Sequence, residues 1–215
     1  EFDPNNIQAY LYLARAAVTR GELFAARGSL DEKDKATAQA VALLEQAART
    51  AESDPSADID LLTLKLRLAR DKGSTTPREQ AELFEPQFLA LANKFSSSAR
   101  AFGVLSAFYS EYSVYAGPTL GPENLRKAIE AGEKAMELDP GNVGYAINAA
   151  DLHYRSYSIY DKKEEIQKAI EIAQKALELP GAQDTAGPRE RVNKFNRYRL
   201  YSLVANCYIE WVLGD

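Results

Sequence analysis

ENLRKAIEAGEKAMELDP (residues 123–140) and EEIQKAIEIAQKALELP (residues 164–180) are one helix written twice. The pairs Lys127/Lys168, Ala128/Ala169, Ile129/Ile170, Glu130/Glu171, Lys134/Lys175, Ala135/Ala176, Glu137/Glu178 and Leu138/Leu179 are identical at a constant offset of 41 (168 − 127). An internal repeat at that period means stacked helical hairpins, each too small to bury its apolar face without its neighbours.

A second match fixes the register outward from this pair. YSEYSVY (109–115) and YRSYSIY (154–160) align at an offset of 45 (154 − 109). The segments that follow them align at 41, so the two repeats differ by a four-residue loop deletion. Ala116–Pro122 and Asp161–Lys163 supply that difference as loops of seven and three residues, with Pro122 expected to open the next helix.

The same reading divides the chain into hairpins at about 5–53, 55–95, 97–139 and 142–179, with a final helix over 188–213. The class is all-α, an α-solenoid of about four and a half antiparallel helix hairpins. Asp3-Pro4-Asn5-Asn6 is a turn and cap ahead of Ile7, Tyr10, Leu11 and Ala14 at helical spacing. Ser29-Leu30-Asp31-Glu32 and Thr76-Pro77-Arg78-Glu79 have capping-box spacing, the second with Pro at the first helical position. Pro86 falls inside a helix, where it removes an amide donor.

Composition narrows the function classes. In 215 residues, 46% are hydrophobic and 27% charged, as in ordinary folded domains. A net charge of −5 argues against nucleic-acid binding, which needs a concentrated basic face. No apolar run approaches the roughly 20 residues of a membrane span, so no direct membrane insertion of this stretch is expected. A single cysteine makes no internal disulfide and leaves the compartment open. Glu1-Phe2-Asp3-Pro4 echoes Glu137-Leu138-Asp139-Pro140, the tail of a repeat helix, so the sequence reads as a piece of a longer repeat protein.

DPNNIQAYLYLA (3–14) and KAIEAGEKAMELDPGN (127–142) resemble the tetratricopeptide repeat. Tyr10, Leu13 and Ala14 match the first half of that family's pattern of about 34 residues; Ala128, Ala135 and Pro140, or Ala169, Ala176 and Pro180, match the second. The physical basis is packing: small side chains let helix axes approach to about 8–10 Å while large ones fill the grooves. Departures are the longer periods, Lys65 at a small position and Gly132 at a large one. The resemblance implies a right-handed superhelix whose first helices line a concave groove. Carried over by position, that groove is Gln8, Leu11, Arg15 and Thr19 in the first hairpin. Ile147, Asp151, Tyr154 and Arg155 follow in the fourth, and Arg199, Ser202, Asn206 and Glu210 in the last helix.

Catalytic chemistry has little to work with. His153 is the sole histidine and takes the place of Phe108 in the preceding repeat, which predicts a half-buried packing role. Cys207 lies among small and aromatic neighbours, the setting of a buried structural thiol. One His and one Cys do not furnish a zinc site, and no glycine-rich phosphate loop is present. Neither a catalytic residue, a metal nor a cofactor is expected. Twelve tyrosines, concentrated on the first helices of the later hairpins, serve either packing between repeats or an aromatic groove for an extended ligand. The expectation is a non-catalytic scaffold binding a peptide or partner protein. The alternative is the soluble tail of a larger membrane or envelope-associated enzyme, recruiting partners or substrate.

Overall fold

The computed structural model describes residues 6–71, 73, 76–115, 117–160, 162–183 and 187–213, with the backbone alone for 117–120. Among these residues the secondary structure is helical, without strands. The α-helices are α1 (Ile7–Ala26), α2 (Leu30–Thr50), α3 (Pro55–Asp71), α4 (Pro77–Lys94), α5 (Ala99–Tyr115), α6 (Gly117–Leu138), α7 (Val143–Tyr160), α8 (Lys163–Leu177) and α9 (Glu190–Leu213). A 3-10 turn, Pro180–Ala182, precedes α9. The chain forms two compact units, one of residues 1–95 and one of 96–215.

In the first unit α1 starts where Asn6 accepts a hydrogen bond from the Ala9 amide at 3.0 Å. Its apolar face, with Tyr10, Leu11, Ala14 and Ala17, packs on Ala40, Leu44 and Ala47 of α2 and Leu64 of α3. Lys65, at the small position, instead turns outward and pairs with Glu45 at 3.6 Å. At α4 the capping box is complete: the Thr76 hydroxyl accepts from the Glu79 amide and the Glu79 carboxylate accepts from the Thr76 amide. Those hydrogen bonds from Thr76 hold the Glu79 carboxyl below the usual range. Ser29, expected to do the same, makes no side-chain cap; its amide donates to the Phe24 carbonyl, closing the turn through the backbone.

In the second unit the duplicated residues are the core. Ala128, Ala135, Ala169 and Ala176 are all buried, as are Leu125 and Ile166, which also stand 41 apart (166 − 125). The alanine stripes let α6 and α8 lie close against α7, and each larger aliphatic side chain withdrawn from water contributes about 1.5–3 kcal/mol. Around α7 the core gathers Ala146, Ile147, Ala150 and Tyr157 with Ile166 of α8 and Leu200, Leu203 and Cys207 of α9.

One expected loop is helical. Residues 117–122 belong to α6, with Pro122 inside the helix rather than at its start. Pro118 falls in the first turn, where no amide donor is needed. Gly121 lets the backbone lie against α5: a Cβ there would sit 2.8 Å from the Ser113 carbonyl oxygen. The extra residues of the third hairpin thus extend its second helix.

Candidate functional site

In the second unit a cavity of about 210 Å³ opens between α7 and α9. It is lined by Ile147, Asp151 and Tyr154 from α7 and Tyr198, Arg199, Ser202, Leu203 and Asn206 from α9. The α7 residues recur at three to four, one face of a helix; Arg199, Ser202 and Asn206 do the same on α9. Ile147 and Leu203 form an apolar floor, buried in the core, while Asp151 and Arg199 put opposite charges on the two walls. Burial, reinforced by the negative charge of Glu210, pushes the Tyr154 hydroxyl above its ordinary value, so it stays a hydrogen-bond donor at neutral pH. At this volume the cavity is smaller than the roughly 300–1,000 Å³ of small-molecule sites. It has room for a side chain and polar groups to orient the backbone carrying it.

Arg155, the remaining α7 residue of the sequence-derived set, turns to α5. Its guanidinium donates to the Ser110 hydroxyl at 2.6 Å and to the Ser113 hydroxyl at 3.2 Å. Glu210 accepts, through its backbone carbonyl, from the Tyr157 hydroxyl at 3.3 Å, tying α9 to α7 beyond the cavity.

A second cleft belongs to the first unit. It measures about 330 Å³ and lies between α1 and α3 over Leu44 of α2. Arg15 and Thr19 line it, Gln8 is exposed elsewhere on α1, and Leu11 is packed into the core. Two ion pairs cross the cleft, Arg15 to Asp60 at 3.0 Å and Arg67 to Glu22. Both span 45 residues (60 − 15 and 67 − 22), the offset that relates Tyr109 to Tyr154. Asp60 and Arg67 were not singled out in the sequence, because ion pairs between helices of neighbouring hairpins leave no periodic signal of their own.

His153 is completely buried rather than half-buried. Its Nε2 meets a Glu133 carboxylate oxygen of α6 at 3.1 Å, and its Nδ1 meets a Glu165 carboxylate oxygen of α8. A polar ring at a position where Phe108 stands in α5 is thereby satisfied at both nitrogens. Cys207 is also fully buried, and burial raises its thiol to about 11. Among the described residues no group of three His, Cys, Asp or Glu side chains is placed to share a metal ion. No described helix is long and apolar enough to cross a membrane.

Tyr109 and Tyr112 of α5 and Tyr157 of α7 are buried, whereas Tyr115 at the end of α5 and Tyr198, Tyr201 and Tyr208 of α9 are exposed.

Comparison with solved structures places these helices in a known architecture. A tetratricopeptide repeat protein of Thermus thermophilus, TTC0263, superposes with a TM-score of 0.53 at 18% identity, over 92% of this chain and 82% of that one. The fold is tetratricopeptide-like. MamA of Desulfovibrio magneticus RS-1 matches over 80% of this chain and 97% of its own at 22% identity, with a TM-score of 0.39. No protein-family model and no curated protein sequence matches the chain.

Proposed function

We propose that this chain is a non-catalytic interaction module whose α7/α9 cleft holds an extended peptide or a segment of a partner protein. The observation carrying this reading is convergence: Ile147, Asp151, Tyr154, Arg199, Ser202 and Asn206, which the tetratricopeptide resemblance assigns to a groove, line a single cavity. The tetratricopeptide-like fold supports a scaffold role, and the cavity's size favours a side chain over a free metabolite. In this reading the floor of Ile147 and Leu203 takes an apolar side chain. Tyr154, Ser202 and Asn206 satisfy the amides and carbonyls of the backbone that carries it, and Asp151 and Arg199 orient it.

Screening a peptide array against the whole chain tests the proposal. Peptides retained by wild type should bind about tenfold more weakly, or worse, after Tyr154→Ala or Asp151→Ala. Thr63→Ala, in the other cleft, should leave them unchanged. Equal binding by all three variants would move the site off α7 and α9.

A further inference from the structure

The two clefts use their charges differently. In the α1/α3 cleft the charged lining residues pair with one another, Arg15 with Asp60 and Arg67 with Glu22. In the α7/α9 cleft Asp151 and Arg199 both line the cavity, yet neither has an ion-pair or side-chain hydrogen-bond partner among the described residues. Asp151 is partly buried, so its carboxylate gives up part of its hydration without gaining a donor.

These two charges stand at opposite ends of the apolar floor. Helices α7 and α9 run in the same direction: Ile147 and Leu203 share the floor, and further along both helices the Tyr157 hydroxyl donates to the Glu210 carbonyl. Asp151 lies four residues beyond Ile147 (151 − 147), toward the C-terminal end of the pair. Arg199 lies four residues before Leu203 (203 − 199), toward the N-terminal end. At about 1.5 Å per residue each charge is about 6 Å from the floor along the helix axis, and the two are about 12 Å apart. An extended strand turns alternate side chains to one face, and three successive positions on that face span about 13 Å. The spacings match.

We infer that the segment held in this cleft is an extended strand with an apolar side chain at its centre, an acidic side chain two residues to one side for Arg199 and a basic one two residues to the other for Asp151. This rests on the peptide reading of the same cleft and names the ligand sequence that reading leaves open. Charge further along the cleft agrees: Glu210 lies toward the same end as Asp151, and both carboxylates act on the Tyr154 hydroxyl between them. A basic side chain there meets negative charge while its aliphatic stem continues the apolar floor. A strand with two acidic side chains would set one against Asp151, and a strand with two basic ones would set one against Arg199. Either chain direction satisfies the pattern.

Fluorescence anisotropy with labelled, end-capped peptides is the test. The probes carry Glu-Ala-Leu-Ala-Lys, Glu-Ala-Leu-Ala-Glu or Lys-Ala-Leu-Ala-Lys between Gly-Ser arms. Wild type should bind the mixed-charge peptide about fivefold more tightly than either of the others. Asp151→Lys leaves two cations flanking the floor and should move the preference to the peptide with two glutamates. Arg199→Glu leaves two acids and should move it to the peptide with two lysines. A switched preference also shows that the variant is folded. Binding that shifts α7 and α9 amides without regard to peptide charge, or a preference that survives both substitutions, would overturn this inference and leave the peptide reading standing. Absence of binding by all three peptides would overturn it as well, and the peptide array then decides the wider reading by itself.

Discussion

At the scale of single residues, two glycines separate local propensity from packing. Gly132 and Gly21 both lie inside helices, where alanine is favoured by about 1 kcal/mol. A Cβ at Gly21 would meet Ala36 and Thr37 at 3.6 Å, ordinary contact. A Cβ at Gly132 would meet the Ser106 hydroxyl at 3.0 Å and Leu152 at 3.3 Å. Ser106 has no room to retreat: it donates to the Ala128 carbonyl at 2.8 Å and accepts from the Asn148 amide at 3.0 Å, joining α5, α6 and α7. Gly21→Ala should therefore stabilise by about 0.5–1 kcal/mol, and Gly132→Ala should destabilise by about 1 kcal/mol or more despite the helix preference. Urea unfolding of the two variants decides it; the same sign for both would refute the packing argument.

Cys207 gives a second residue-scale prediction. The folded thiol keeps its proton up to about 11, above the ordinary thiol value. In the unfolded chain it ionises earlier, so its contribution to stability is lost as pH rises through the interval between those values. Below that interval the native thiol should resist an aromatic disulfide reagent until denaturant is added. Rapid modification of the folded chain at pH 8 would contradict its burial.

At the scale of helices, His153 shows how a buried polar group ties three elements together. His153→Phe restores the residue type of the preceding repeat, yet it strips Glu165 of its ring partner, leaving among the described residues the ion pair with Lys168 at 3.7 Å. The variant should lose about 1–3 kcal/mol, and adding Glu165→Met should recover part of it. Full stability in the single variant would mean that the two carboxylates contribute nothing to holding α6 and α8 on α7.

The elements were legible in different degrees, for physical reasons. The Ala128/Ala169 and Ala135/Ala176 pairs announced buried stripes because close helix approach admits only small residues, and all four are buried. Thr76 with Glu79 announced a cap that formed; Ser29 with Glu32 had the same spacing, but the backbone turn at Gly28, with φ +77°, closed the helix entrance without the hydroxyl. The first turns of α6 were hidden by two prolines and two glycines, which look like a loop until α5 offers a surface to lie on. His153 was underestimated because its two partners lie on different helices, 20 residues before it and 12 after. In the candidate cleft the α7 and α9 residues came from positions carried over with the family resemblance, and the direction of Arg155 depends on hydroxyls of α5 that periodicity does not encode.

At the scale of the molecule, each unit carries its own core, one around α1 and α2 and the other around α7, α8 and α9. Neighbour-only contacts are the rule in such arrays, and stability is then close to a sum of local terms. Residues 96–215 expressed alone should be helical and unfold cooperatively. Failure to fold would show that they depend on the first 95 residues.

The proposed function rests on the cleft between α7 and α9. Amide chemical-shift mapping of the whole chain, titrated with a peptide selected from a random library, tests that claim most directly. Shifts should cluster on α7 from Ile147 to Tyr154 and on α9 from Tyr198 to Asn206, and should be lost in Tyr154→Ala. Shifts confined to α1 and α3, or unchanged by that substitution, would contradict it.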